Sequence, residues 1–210
     1  MKPNLRIGID FDNTIASYDE LIHRVALERN LIDAGEAPNK RTVRDRIRQR
    51  ENGEVEWQML QGIVYGPRMG EALPIHGVRE FFNRCRKSGA QTFIVSHKTE
   101  YANFDPTQTP LRKAALAWME TKGFFLADGL DLSRADVYFE ATRQEKIGRI
   151  QQLGCTHFVD DLEEVFREDG FPEPTMKVLF APQPPPSPLA GLAVASTWDE
   201  VARLVFDART

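Results

Sequence analysis

The sequence predicts an α/β fold in which a mostly parallel sheet carries helices on both faces. Short apolar runs rich in β-branched residues alternate along the chain with segments of helical periodicity. Polar or acidic residues directly follow several of these runs, which is where open parallel sheets place their ligands. The chain has 210 residues, of which 41% are hydrophobic and 28% charged, enough for one core that carries an insertion.

Composition and charge argue against several classes of binding partner. The formal net charge is -4 and the isoelectric point is near 5.7, which argues against a general binder of nucleic acid or anionic membranes. No apolar stretch is long enough to span a bilayer, so we expect no membrane partner. Cys85 and Cys155 lie in apolar contexts and do not form a metal-type pair, which is typical of buried thiols in a reducing compartment. We therefore expect a cytoplasmic protein.

The first apolar run, Leu5 to Ile9, predicts a strand buried on both faces, and two carboxylates follow it at once. Asp10 and Asp12 are two positions apart, and Thr14 then adds a hydroxyl. Two carboxylates this close repel each other as anions, so they need a cation or a proton between them. An acidic surface loop would not explain why an apolar strand runs straight into them.

An inserted helical unit interrupts the α/β pattern. Three segments of helical periodicity lie between Tyr18 and Gly66, before the alternation of strands and helices resumes. We assign residues 16–72 to this insertion and residues 1–15 and 73–210 to the core.

The rest of the core predicts four more strands, at residues 92–95, 137–139, 157–159 and 176–180. A helix precedes the strand at 157–159, and its start is defined by a capping box, Thr142 with Glu145 three positions later. This capping box places Lys146 near the first turn of that helix.

Acidic and hydroxyl side chains follow three of the predicted strands. Asp10 and Asp12 follow the first strand, Ser96 the second, and Asp160 with Asp161 the fourth. Because the carboxyl ends of parallel strands lie at one edge of a sheet, we expect these side chains to converge. Several carboxylates around one point form a hard-oxygen site that suits Mg²⁺. A nearby lysine and hydroxyl suit phosphoryl transfer.

These residues carry a resemblance to a known family. The segment Asp10–Thr14, with the sequence DFDNT, resembles the first motif of the haloacid dehalogenase-like (HAD) superfamily of phosphohydrolases. Ser96, Lys146 and the pair Asp160-Asp161 match the other motifs in order. The resemblance covers the core and implies a Rossmann-like three-layer sheet, with the insertion as a helical cap between the first and second motifs.

The resemblance also implies a role for each matched residue. Asp10 would be the nucleophile, forming an aspartyl-phosphate, and a Mg²⁺ ligand. Asp12 would be the general acid and base, with its backbone carbonyl on the metal. Thr14 would support this loop. Ser96 and Lys146 would hold the phosphoryl oxygens, and the lysine would also reduce repulsion between the aspartates.

Two assignments stay open. The fourth motif is Asp-Asp rather than the common Gly-Asp, so we favour Asp161 as the acidic metal ligand with Asp160 supporting it, although the order can be reversed. Lys98, two residues after Ser96, is the alternative to Lys146 as the phosphate-binding cation. We favour Lys146 because the capping box fixes its place near the start of a helix.

We therefore predict a Mg²⁺-dependent phosphatase that acts on a small phosphorylated metabolite, with a sugar phosphate or a nucleotide as leading candidates. The second acid, Asp12, favours phosphatase because dehalogenases of the family lack it. Alternatives are a phosphotransferase or phosphomutase of the same superfamily, and a non-catalytic regulatory module that keeps the metal site. The basic run Lys40–Arg50 is interpreted as a solvated helix face, so we do not expect a nucleic-acid partner. The sequence leaves the oligomeric state open.

Overall fold

The computed structural model describes residues 5–105, 107–183, 185 and 187–207. They divide into two compact units. The sheet unit lies within Met1–Ile15, Pro74–Lys98 and Gly123–Thr210, and the helical unit lies within Ala16–Leu73 and Thr99–Lys122.

The sheet unit contains a six-stranded parallel sheet, which confirms the predicted α/β class and adds one strand to the five predicted. The strands of the described chain are β1 (Arg6–Ile9), β2 (Ala16–Ser17), β3 (Leu73–Pro74), β4 (Gln91–His97), β5 (Val137–Glu140), β6 (His157–Asp160), β7 (Met176–Phe180) and β8 (Ala193–Ala195). The order in the large sheet is β5-β4-β1-β6-β7-β8, and each neighbouring pair is parallel. The short strands β2 and β3 pair with each other.

The helices separate these strands along the chain. They are α1 (Asp19–Glu28), α2 (Lys40–Arg48), α3 (Gly53–Tyr65), α4 (Val78–Ser88), α5 (Leu111–Thr121), α6 (Arg143–Gln152), α7 (Glu163–Phe166) and α8 (Trp198–Phe206), with 3-10 turns at Met69–Glu71 and Arg134–Asp136. Within the part of the chain that the structure describes, no helix combines the length and the apolar character needed to cross a membrane.

Helices cover both faces of the large sheet, which gives the sheet unit three layers. Successive side chains of a strand point to opposite faces. On β7, Leu179 belongs to a cluster with Ile147 of α6 and Phe166 of α7. Its neighbour Phe180 packs instead against Trp198 of α8, with ring centroids 5.7 Å apart.

The central strand β1 lies between β4 and β6, the two strands whose ends carry the other candidate site residues. Ile9, its last residue, is in register with Ile94 of β4 on one side and Val159 of β6 on the other. β6 ends one residue beyond this level, at Asp160, and β4 three residues beyond it, at His97, so the carboxyl ends of the three strands lie at the same edge of the sheet.

The helical unit contains α1, α2, α3 and also α5, which the sequence analysis assigned to the core. Its second segment, Thr99–Lys122, packs with the insertion rather than with the sheet. Trp118 of α5 is buried and its Nε1 donates a hydrogen bond to the carbonyl oxygen of Ala72, 2.8 Å away. The missing side chain of Gly62 on α3 lets Ala102 approach closely, because a Cβ there would lie 3.1 Å from the Ala102 methyl.

The basic run of α2 is paired with carboxylates of the helical unit. The guanidinium groups of four arginines lie 2.6–3.0 Å from acidic oxygens, in the pairs Arg44–Asp45, Arg46–Glu36, Arg48–Glu54 and Arg50–Glu56. These exposed pairs neutralise the run locally, which supports its interpretation as a solvated helix face.

Gly8 is the position where the centre of the sheet is tightest. A Cβ at Gly8 would lie 2.5 Å from Cδ2 of Phe158 and 3.0 Å from Sγ of Cys155. The Phe158 ring is fully buried and contacts the rings of Phe166 and Phe171, so it has no free space to move into.

We predict that Gly8→Ala lowers the free energy of unfolding by about 1–3 kcal/mol, because the added methyl overpacks this site. The matched control is Gly148→Ala in α6, where no atom lies within 4 Å of the added Cβ. The control should stabilise the protein by about 0.5–1 kcal/mol, since alanine is the better helix former. Urea unfolding of both variants beside the wild type measures the difference, and an equal response of the two would refute the close-packing argument.

Candidate active site

Asp10 lies at the carboxyl end of β1 and is buried, with 5% of its surface exposed. Its backbone nitrogen donates to the carbonyl oxygen of Val159, 2.9 Å away, which extends the pairing of β1 with β6 by one residue. Its Oδ1 accepts a hydrogen bond from Nζ of Lys146 at 2.6 Å. The first carboxylate is thus fixed by the sheet and by one ammonium group.

Lys146 reaches this point because a capping box sets the start of α6. The Thr142 hydroxyl accepts from the backbone nitrogen of Glu145, and the Glu145 carboxylate accepts from that of Thr142. Lys146 follows in the first turn with only 2% of its surface exposed. Its Nζ donates to Oδ1 of Asp10 and to Oδ2 of Asp160, both at 2.6 Å. We call these three groups the buried triad.

Asp160 and Asp161 differ in their burial. Asp160 is fully buried; its Oδ2 accepts from Lys146 and its Oδ1 accepts from the backbone nitrogen of Leu162 at 2.9 Å. Asp161 is partly exposed. Carboxylate oxygens of Asp10, Asp160 and Asp161 lie within 4.8 Å of one another. This all-oxygen donor set fits a hard divalent cation such as Mg²⁺.

The buried triad is short of positive charge, because two carboxylates share one ammonium. Burial raises the pKa of Asp10 from 3.8 to about 7; Lys146 opposes the shift, while Asp160 and Asp12 add to it. Burial lowers the pKa of Lys146, but Asp10 and Asp160 outweigh burial, so its pKa lies above its ordinary value. The lysine therefore stays charged, and the site favours an additional cation or a proton.

Asp12 has a lysine of its own. Nζ of Lys98 lies 2.7 Å from Oδ2 and 3.1 Å from Oδ1 of Asp12. The Asp12 side chain is 21% exposed, whereas that of Lys98 is 3% exposed. Directly after Asp12 the backbone turns through Asn13, whose φ of 57° is one that asparagine tolerates.

Ser96 and Thr14 bring two buried hydroxyls to the same strand ends. The structure extends β4 to His97, so Ser96 lies inside the strand, opposite Phe139 of β5, rather than just beyond its end. Thr14 is fully buried, and its carbonyl oxygen accepts from Nε1 of Trp198 at 3.1 Å. Among the described residues, Ser96 Oγ and Thr14 Oγ1 are buried side-chain atoms with no hydrogen-bond partner. A buried hydroxyl without a partner is costly unless a ligand completes it.

The structure thus brings together Asp10, Asp160, Asp161 and Lys146 in one cluster, and it joins Asp12 to Lys98 in a separate ion pair. Sequence reasoning treated Lys98 only as a rival of Lys146 and missed its contact with Asp12. The signal was present, because Lys98 lies two residues after Ser96 and directly follows β4, a strand adjacent to β1.

Comparison with known proteins places this site on a recognised fold. No family model matches the sequence, and no curated protein sequence matches it. The chain is similar to a haloacid dehalogenase-like hydrolase from Streptococcus pneumoniae, with 13% identity, a TM-score of 0.59, and coverage of 97% of this chain and 99% of that one. A HAD family hydrolase from Deinococcus radiodurans R1, solved with bound phosphate and sodium, is 16% identical over 99% and 97% of the two chains, with a TM-score of 0.58.

A structure described as a dehalogenase is also similar, with 15% identity, a TM-score of 0.51, and coverage of 97% of this chain and 98% of that one. Identities this low establish the fold rather than the reaction. The chain therefore has the α/β fold of the HAD-superfamily hydrolases, which confirms the resemblance at the level of fold.

The raised pKa of Asp10 predicts how the stability of the metal-free protein depends on pH. From about pH 4 to about pH 7 the folded chain holds a proton on Asp10 that the unfolded chain has lost, so this residue makes stability fall as pH rises through that window. Asp10→Asn removes the titration and leaves Lys146 paired with Asp160.

In the presence of a chelator, Asp10→Asn should be more stable than the wild type by about 1–3 kcal/mol near pH 8, with a smaller difference near pH 4.5. Urea unfolding at the two pH values measures it, with the exposed Asp169→Asn as the control. A stability difference that does not grow with pH would contradict the assigned burial of charge at Asp10.

Proposed function

We propose that the protein is a Mg²⁺-dependent phosphatase that hydrolyses a small phosphomonoester through an aspartyl-phosphate. The observation that carries this proposal is the convergence of Asp10, Asp160, Asp161 and the Lys146 ammonium at the carboxyl ends of β1 and β6. Such a cluster combines a nucleophile, a cation site and a fixed positive charge, which are the parts that phosphoryl transfer needs.

The metal would be held by the carboxylates of Asp10 and Asp161 and by the backbone carbonyl of Asp12. Asp160 is the weaker candidate ligand, because Lys146 and the backbone of Leu162 already occupy its two oxygens. When bound, Mg²⁺ supplies positive charge that stabilises the phosphoryl oxygens. This assignment keeps Asp161 as the favoured ligand and Asp160 as the residue that orients Lys146.

The reaction has two steps. A carboxylate oxygen of Asp10 forms a bond to phosphorus while the bond to the leaving oxygen breaks, and Asp12 donates its proton to that oxygen. Asp12, now a carboxylate, takes a proton from water, whose oxygen attacks phosphorus. Phosphate departs and the Asp10 carboxylate is restored. Throughout, Lys146 and the unpaired Ser96 hydroxyl contact the phosphoryl oxygens.

One further feature supports a phosphatase over a dehalogenase. Dehalogenases of the superfamily lack the second acid, and here Asp12 is present with a buried lysine to hold it. The helical unit, in this proposal, is the cap that excludes water and selects the substrate, for which a sugar phosphate or a nucleotide is the leading candidate. In the proposed reaction the phosphoryl group is transferred to water, whereas a phosphotransferase or phosphomutase transfers it to another acceptor.

A panel of phosphomonoesters tests the reaction class. We expect the wild type to release phosphate only with Mg²⁺, and Asp10→Asn to fall to background because it lacks the nucleophile. The exposed Asp169→Asn should retain full activity as the matched control. Metal-independent release of halide from a haloacid, or equal turnover by Asp10→Asn, would overturn the proposal.

Thermal unfolding with and without Mg²⁺ tests the metal ligands. A cation present at about 100 times its dissociation constant stabilises the folded state by about 2.7 kcal/mol, so Mg²⁺ should raise the unfolding temperature of the wild type. We expect Asp161→Asn to lose this stabilisation and Asp169→Asn to keep it. Full retention of the shift in Asp161→Asn, with its loss in Asp160→Asn, would transfer the ligand role to Asp160.

A further inference from the structure

Lys98 is a buried cation that forms an ion pair with Asp12. Only 4% of its surface is exposed, and its Nζ lies within hydrogen-bond distance of both Asp12 oxygens, at 2.7 Å and 3.1 Å. Removing an ammonium group from water is costly unless a counterion and good geometry compensate. Asp12 supplies that counterion, so the two side chains constrain each other.

The backbone that carries Lys98 is held by the sheet. Lys98 follows the last residue of β4, and its backbone nitrogen donates to the carbonyl oxygen of Glu140 on β5 at 2.9 Å. Its Nζ also lies 5.7 Å from the centroid of the Phe11 ring, which is fully buried. The ammonium therefore has a fixed position, set by two neighbouring strands and one aromatic ring.

Asp12 needs such a support more than Asp10 does. Asp10 is buried and held by Lys146, whereas the Asp12 side chain is 21% exposed and lies beyond the end of β1, just before the turn at Asn13. A general acid must lie within about 2.6–3.2 Å of the oxygen that it protonates. A displacement of about 1 Å in such a group can cost about 10²-fold in rate.

We propose that Lys98 is a positioning residue, which holds the Asp12 carboxyl group in the orientation needed for proton transfer to the leaving oxygen. This inference rests on the proposed phosphatase function and deepens it. It replaces the interpretation of Lys98 as a phosphate-binding cation, because the contact in the structure is with the acid itself. Each Asp12 oxygen has a second lone-pair direction, so the contact with Lys98 leaves the Asp12 carboxyl group able to face the leaving oxygen.

The test compares two substrates that differ in their need for an acid. An alkyl phosphate releases a poor leaving group that requires protonation, whereas p-nitrophenyl phosphate releases a stable anion. For Lys98→Met we expect kcat on the alkyl phosphate to fall by about 10²-fold, and kcat on p-nitrophenyl phosphate to change by less than about threefold. KM should stay near the wild-type value for both substrates.

Two further variants make the result decisive. Lys98→Arg keeps the charge and should restore the alkyl phosphate rate to within about tenfold of the wild type, even if Lys98→Met proves too unstable to assay. Lys87→Met removes an exposed lysine of α4 and should change neither rate. In an Asp12→Asn background, Lys98→Met should have less than about a threefold further effect, because a residue that acts through Asp12 is not additive with it.

A loss of equal size on both substrates that persists in the Asp12→Asn background would overturn the proposal and make Lys98 a direct phosphate contact. An alkyl phosphate rate unchanged in Lys98→Met would overturn it as well. Failure of the phosphatase function itself gives a different result, in which the wild type hydrolyses neither substrate.

Discussion

The ion pairs of the buried Lys146 ammonium hold together the candidate site at the carboxyl edge of the sheet. It joins the start of α6 to the ends of β1 and β6 through two hydrogen bonds of 2.6 Å. Each charge taken out of water costs several kcal/mol, and only close pairing repays that cost. Breaking such a pair typically destabilises a protein by about 3–5 kcal/mol, because an uncompensated charge stays behind. The capping box that fixes α6 therefore also fixes the position of Lys146 in the candidate site.

This arrangement stabilises the fold less than its contacts suggest. Two carboxylates face one ammonium, and the pKa of Asp10 is accordingly raised to about 7. Ser96 and Thr14 add buried hydroxyls that lack partners in the described structure. A chain selected only for stability would not keep these features together. The close packing behind the edge, where Phe158 contacts Phe166 and Phe171, supplies the rigidity that holds them in place.

The sequence predicted those parts of the fold and site that short-range patterns encode. Apolar runs located five strands of the large sheet, strand ends located Asp10, Asp160 and Asp161, and one capping box located Lys146. The sequence analysis did not predict strand β8, because its three residues, Ala193–Ala195, are too few and too weakly β-forming to show a periodic hydrophobic pattern. The apolar stripe of α5 includes Trp118, which is buried, but periodicity indicates a buried face and not the surface that covers it. That surface belongs to the helical unit, so residues 99–122, which the sequence analysis assigned to the core at 73–210, lie in the helical unit instead.

The contact between Lys98 and Asp12 shows that the ends of neighbouring strands can form two separate groups of charged side chains. Two aspartates two positions apart require positive charge near each of them. The structure supplies it twice, from the first turn of a helix to Asp10 and from the end of β4 to Asp12. Asp10 shares Lys146 with Asp160 and so belongs to the buried triad, whereas Asp12 is paired with Lys98 outside it. One strand end can therefore present two aspartates whose surroundings differ enough for two chemical roles.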